Sequence, residues 1–484
     1  MLKYNFKWAL ILAVVAFAFV ACEDPETTFD PVNPDLTEEA ILGTPQSANR
    51  TLAGLERQLV ELMGEYLHVT EIGSDNYTNT QTFFNQFLDG LNIDATDDDI
   101  DDSQFELARL RELALFGLNR IGPADPGYTQ DQEAEFQFFV GMAYLLGGEL
   151  FRTLPGEGGG APLPAATHLG LAADAFQAGA DLASDPFTIA SCQMGRARAL
   201  YRLGDQAGAV AAANAAIATD PAFLRVAVTD NLNSARTDNE MQNAIHDRGT
   251  FDDLQPLPRL DFLDPKYNDN DPSKDMDIPV LKIEEAHLIL CEAAIADGQL
   301  PTAQQIMKDI INLVSTRPTI TFDDAIEDRS QLAPGTRPDS SIVMVAASAD
   351  DMMRPGLVLD RKNGPVTVPF ISGTSVTEAM VDAVGTEDEA LELLYLMRQE
   401  IFIAEGRRMT DMGITFVVSQ TEQLANANVK PEDTAADIPP FFESIKDELD
   451  AFSYDPGSTT CTITHNSNAI IVANKTSDYV CPFH

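Results

Sequence analysis

Positive charge is scarce in this sequence. Across 484 residues there are 31 Lys and Arg against 76 Asp and Glu, a formal net charge of −45. No lysine occurs between Lys7 and Lys266. Binding along a phosphate backbone needs a positive footprint, so nucleic acid is excluded as a partner. The acids are spread through almost every polar stretch and not gathered into a tail. That pattern reads as an acidic, halophilic type of surface, whose self-repulsion dissolved salt screens. Tryptophan is nearly missing too, since the only one is Trp8. Long apolar runs are absent beyond the first residues, so no later segment reaches the ~20 residues of a membrane-spanning helix. Also missing are a Gly-x-Ser-x-Gly elbow, a His-Glu-x-x-His pair and a Walker loop. The six histidines are scattered. Nothing singles out a catalytic pair among the many carboxylates, so no enzyme activity and no cofactor are expected.

What is present begins with a leader. Lys3 and Lys7 precede an apolar run from Trp8 to Val20. The run is too short to span a bilayer comfortably and sits where the apolar part of a signal peptide belongs. Residues 1–21 are therefore expected to be a signal peptide. Phe19-Val20-Ala21-Cys22 resembles a bacterial lipobox, which makes Cys22 the expected lipidation site. The alternative is an ordinary secretory signal with an incidental cysteine. Residues 22–36 form a polar, proline-rich tether, and Glu23-Asp24-Pro25-Glu26 resembles the surface-export signal of lipoproteins in the Bacteroidetes group. The remaining residues, 37–484, read as a single domain.

That domain is helical by its periodicity. Phe105 to Leu118 carries apolar residues at spacings of three and four, and Phe136 to Leu150 is a buried core helix. Asp185-Pro186 and Asp220-Pro221 each end an alanine-rich helical stretch and lie 35 residues apart. The tetratricopeptide (TPR) period is about 34 residues, and Gly204-Asp205, Ala209, Ala216 and Pro221 match its turn, helix-crossing and terminating positions. TPR-like helix pairs are thus expected over about 136–221 and again over 283–314, where Gly298 breaks one helix and Pro301 starts the next. The fold class is all-α, a helical-repeat scaffold, with long irregular loop insertions at 222–280 and 316–385. Short strand-like runs occur at Ile342–Val345 and Val366–Phe370. A late helix is expected over 387–412, with Glu405/Arg408 and Arg407/Asp411 pairing along it.

The lipobox, the TPR-like pairs, the Ile283–Gly298 helix and the Arg398-Gln399-Glu400…Glu405-Gly406-Arg407-Arg408…Asp411 run together resemble the SusD/RagB family. The resemblance covers most of the mature chain, in the right order. It implies a surface lipoprotein of the outer membrane, held by lipid at Cys22, that captures an oligosaccharide or peptide nutrient. It also implies a partner, a TonB-dependent transporter of the SusC type, over which the protein sits as a lid. The charged run is structural in that family. A different reading is a periplasmic TPR lipoprotein that scaffolds outer-membrane protein assembly. Glycan binders of the family often stack sugars on aromatic platforms, and the mature chain lacks tryptophan.

Candidate ligand contacts are Asp75, Asn76, Tyr77 and Asn79 with Phe83, and Tyr267 with Asn268. Each group joins an aromatic face, which can stack on a sugar or apolar moiety, to amides that fix hydroxyls or peptide groups. The alternative for each is a side-chain-stabilised turn beside a buried aromatic. Asp97, Asp99 and Asp101 alternate as calcium ligands would, but an EF-hand needs glycine at Asp102 and glutamate at Ala108. The competing reading is a solvated acidic loop, and no metal is expected. Of the five cysteines, Cys192 and Cys291 lie in helical patterns as small hydrophobes. Cys461 and Cys481 flank a turn-rich segment of an exported protein and are the candidate disulfide.

Overall fold

The computed structural model describes residues 42–79, 85–229, 238–247, 254–264, 266–267, 275–323, 337–360 and 363–484. The leader, Cys22, the tether, Phe83 and Asn268 lie outside the described residues. Helices longer than ten residues are α1 (Ser47–Ile72), α2 (Asp98–Phe116), α3 (Gln130–Leu150), α4 (Ala165–Leu182), α5 (Pro186–Arg202), α6 (Gln206–Thr219), α7 (Ile283–Ala296), α8 (Leu300–Ser315) and α9 (Glu387–Ile401). Neighbours in sequence pack on one another from α1 through α8, and α9 lies against α7. This is the stacking of a helical repeat, in which each unit covers the apolar face of the next.

The helix starts follow from their caps. Asp185 and Asp205 accept backbone N–H groups of Thr188 and Gly208, both at 3.0 Å. Thr129 and Thr386 form reciprocal boxes with Gln132 and Glu389. Small residues stand where α3, α4 and α5 cross, around the buried ring of Phe176. A Cβ on Gly195 would lie 2.5 Å from that ring, and one on Gly141 would lie 2.7 Å from it. Gly195→Ala should therefore cost about 1–3 kcal/mol by overpacking. Gly170→Ala, where a Cβ meets nothing within 4 Å, should be neutral or stabilising by up to about 1 kcal/mol. Chemical denaturation of the two variants checks the contrast.

The two insertions hold more regular structure than expected. In the first, β4 (Leu224–Ala227) pairs antiparallel with β6 (Ile278–Lys282), and β5 (Leu254–Pro256) pairs with β1 (Tyr77–Asn79). In the second, β7 (Thr319–Phe322) pairs with β9 (Val366–Pro369), and β8 (Met344–Ala346) runs parallel to β11 (Thr460–Ile463), which also pairs with β10 (Phe452–Asp455). A two-stranded hairpin, β2 (Thr153–Pro155) with β3 (Pro162–Pro164), encloses a loop with the sequence Gly156-Glu157-Gly158-Gly159-Gly160-Ala161. Among the described residues no helix is long and apolar enough to cross a membrane.

The late helix is shorter than the sequence suggests. It ends at Ile401, and a separate turn of helix follows at Arg408–Asp411. Ala404 and Gly406 between them take φ of 58° and 67°. The left-handed conformation cannot continue a helix, and it favours glycine. Gly406 is also pressed onto α1: a Cβ there would lie 2.6 Å from the Tyr66 ring. The expected pairs Glu405/Arg408 and Arg407/Asp411 consequently do not form along one helix, and each charge finds a partner elsewhere.

Candidate ligand-binding site

The turn after α9 gathers a buried network of charges. Arg398 grips Asp411 with two hydrogen bonds of 3.0 and 2.8 Å, and Arg202 adds a third at 2.8 Å. Arg198 pairs with Glu149, and Arg407 with Glu285 at 3.1 Å. Glu405 receives Lys282 at 2.6 Å and also Lys266. Arg408 reaches α1's far end and holds Asp75 with both of its carboxylate oxygens. Burial pushes the Asp411 carboxyl up, but Arg398 and Arg202 outweigh it and hold the group down to about 2. Bidentate, charge-assisted bonds of this kind fix geometry as well as sign. The network ties α1, α3, α5, α7 and α9 to one turn.

Most of the expected ligand contacts belong to this interior and are corrected accordingly. Asp75, Asn76, Tyr77 and Tyr267 are all buried. Asp75 is the counter-ion of Arg408. Asn76 donates to Glu71 at 2.7 Å, and its backbone N–H meets the Ser74 hydroxyl, the local turn given above as the alternative. Tyr77 faces inward from β1, and the Tyr267 hydroxyl donates to the Ala404 carbonyl at 3.0 Å. Only Asn79 is part-exposed, and its backbone N–H donates to Asp89. A ring enclosed on all sides offers no face for stacking.

The other candidates are likewise structural. Asp97 caps α2, accepting from the N–H groups of Asp99 and Ile100. Asn85 binds Asp97 and Asp99 together, and Thr421 donates to Asp101. The acidic run is a helix start and not a loop, and carboxylates there suit the helix dipole. Among the described residues no group of three or more His, Cys, Asp or Glu side chains is placed to hold a metal ion. Cys461 and Cys481 are separate, buried free thiols and not a disulfide. Cys461 sits in β11 opposite Val345, whereas the Cys481 N–H donates to the Tyr395 hydroxyl. Burial pushes both thiols up to about 12.

A cavity of about 530 Å³ opens between α9 and the 316–385 region. That volume lies in the ~300–1,000 Å³ range of small-molecule sites. Its walls are aliphatic: Val345, Leu357, Met380, Val384, Leu393 and Leu396. Exposed Asp350, Asp351 and Met352 stand at its mouth, and buried Arg259 and Asn468 form its floor. Asn466 bridges Asp351 and Glu392 at 3.2 and 2.8 Å. Arg354, which also lines the cavity, is anchored through one nitrogen to Ser375.

The floor is polar and incompletely satisfied. Arg259 is 7% exposed, yet it makes no hydrogen bond or ion pair among the described residues. Burial works against its charge, which the Glu400 and Asp75 carboxylates nearby favour. Asn468 donates to Gln399 at 3.1 Å, while its Oδ1 is buried without a partner among the described residues. Gln399 in turn donates to Asn76, and Asn76 to Glu71. The predicted residue Asn76 thus stands two hydrogen bonds behind the cavity and outside it. No motif in Leu257-Pro258-Arg259-Leu260 marks Arg259 in the sequence.

No protein-family model matches the sequence, and no curated protein is similar to it. Solved structures do match. A SusD superfamily protein from Bacteroides fragilis superposes with a TM-score of 0.50 at 14% identity, covering 80% of this chain and 99% of the other. A SusD-like protein from Bacteroides fragilis NCTC 9343 gives 0.51 at 10% identity, over 82% and 98%. The chain has the SusD fold. The helical-repeat architecture expected from the TPR-like spacing and the Arg398–Asp411 run is the one observed. In this SusD-like chain the charged run is interior, and among the described residues no aromatic side chain lines the cavity beside α9.

Proposed function

We propose that this chain is a lipid-anchored, non-catalytic nutrient-binding protein of the cell surface that acts as the lid of a TonB-dependent transporter of the SusC type. The observation that carries the binding role is the cavity beside α9, where the Arg259 guanidinium makes no hydrogen bond or ion pair among the described residues. Unsatisfied polar groups of this kind cost stability unless something bound supplies the missing bonds. The fold supports the same reading, since a further similar structure of TM-score 0.51, from Bacteroides vulgatus, is named for sugar binding. The nutrient is an oligosaccharide or a peptide. A calorimetric screen of both classes tests the binding role, and retention of a barrel transporter by the full chain from detergent-solubilised membranes tests the partnership. A chain that binds neither class and retains no transporter sinks the proposal.

The leader supports the anchor. Cys22→Ser should release the protein from the membrane fraction or stall its processing, because the acyl chains have no other attachment point in Phe19-Val20-Ala21-Cys22. A variant that still partitions with membranes would show that lipid at Cys22 is not the anchor.

A further inference from the structure

The cavity beside α9 is chemically polarised, and the polarity selects a class of ligand. Its floor holds Arg259, buried and without a partner among the described residues, with Arg354 part-exposed nearby. Its mouth holds the exposed carboxylates of Asp350 and Asp351. Between them the walls are aliphatic, with the flexible Met380 and exposed Met352 able to adapt to different side chains. Resting on the binding reading above, we propose that this cavity seats a short peptide by its C-terminal carboxylate. Arg259 and Arg354 receive the carboxylate, the aliphatic walls receive apolar side chains, and the ammonium end lies towards Asp350 and Asp351.

Three physical arguments favour a peptide over the alternatives. A neutral sugar stacks on ring faces, and among the described residues no aromatic side chain lines the cavity. A guanidinium is charged at every accessible pH and presents a planar fork that matches a carboxylate, so a carboxylate supplies bidentate, charge-assisted bonds that a neutral ligand does not. An anion with no positive end, such as an oligouronide or a fatty acid, would meet the mouth carboxylates on entry. Glu392, on the wall, adds to that repulsion even though Asn466 holds it. Only a molecule with separated negative and positive ends and an apolar body complements the floor, walls and mouth together.

The test is calorimetric titration of the full chain in detergent with trileucine, trileucine amide, maltotriose and trigalacturonate. Trileucine should bind, and its C-terminal amide should bind about tenfold or more weakly, since the charge-assisted bonds are lost. Arg259→Gln should weaken trileucine binding by a similar factor of about ten or more while leaving the melting temperature close to that of the parent. Maltotriose and trigalacturonate should bind no better than the amide. Equal affinity for trileucine and its amide overturns the proposal, and so does an Arg259→Gln chain that folds and binds as the parent does. Preference for trigalacturonate overturns it in favour of an acidic glycan. Failure of trileucine alone overturns the peptide assignment, whereas the broader screen of oligosaccharides still decides the binding role. Should Arg259→Gln fail to fold, the acid-against-amide comparison on the parent chain remains decisive.

Discussion

Glu405→Ala should destabilise the protein by about 3–5 kcal/mol, the range for removing one partner of a buried ion pair. Glu405 is 3% exposed and receives the ammonium groups of both Lys266 and Lys282, which are 2% and 1% exposed. Backbone carbonyls of Ile371, Ile401 and Ile403 take some of their remaining protons, but carbonyls carry no full charge. Burial already draws Lys266 down to about 8, with Glu405 opposing it. Without Glu405, two positive charges would be enclosed together. The comparison is Asp388→Ala, which breaks the ion pair to Lys475 in which Asp388 is 67% exposed. Exposed pairs contribute only about 0–1 kcal/mol, so that variant should unfold at nearly the parent's denaturant concentration. Urea titration of the two variants reads the difference directly. If they fall within about 1 kcal/mol of each other, the buried network is not what holds the late turn to α1 and α7.

The same network explains what the sequence could and could not reveal. Helix pairs were legible because their signals are local. Asp185 and Asp205 cap, Gly204 turns with φ of 73°, and Ala209, Ala213 and Ala216 pack where helices cross. The break after Ile401 was not legible, because it depends on Gly406 meeting Tyr66, more than three hundred residues earlier in the chain. Helical periodicity through Arg407 and Arg408 suggested neighbours at three and four positions. The actual partners are Glu285 and Asp75, brought close only by the folded stack. Aromatic residues beside amides at Asp75–Asn79 and Tyr267 have the composition of a binding surface and also that of a polar core, and burial decided between them. Arg259 carries the opposite lesson. Nothing marks it between Pro258 and Leu260, and its interest comes from its place in the cavity, without a hydrogen bond or ion pair among the described residues.

Folding stability should fall as pH rises from about 4.5 to about 7. Burial, opposed by the bonds from Asn76 and Gly406, lifts the Glu71 carboxyl from 4.5 to about 7. Burial, opposed by Arg198 and Arg398, does the same for Glu285. Glu65 and Asp89 are raised to about 7 as well, by burial and then by neighbouring carboxylates, Asp102 and Asp450 respectively. In each case the folded chain holds its proton more tightly than the unfolded chain does. The stabilisation is full below the unfolded value and is lost as pH passes through the folded one. Asp411 acts in the opposite sense. Held to about 2 against an ordinary 3.8, it contributes stability above 3.8 that disappears as pH drops towards 2. The two trends leave a maximum near pH 4. Glu71 alone accounts for a change on the order of 3 kcal/mol across its window. General repulsion in a chain of net charge −45 also grows with pH, but at 1 M salt the Debye length is only ~3 Å and that contribution is screened. Urea midpoints measured in 1 M KCl therefore isolate the buried carboxyls. Under those conditions the midpoint should be higher at pH 5 than at pH 7.5, and Glu71→Gln should shrink the gap. A gap that vanishes in 1 M KCl would assign the whole effect to surface repulsion, and a Glu71→Gln profile parallel to the parent's would remove Glu71 from the account.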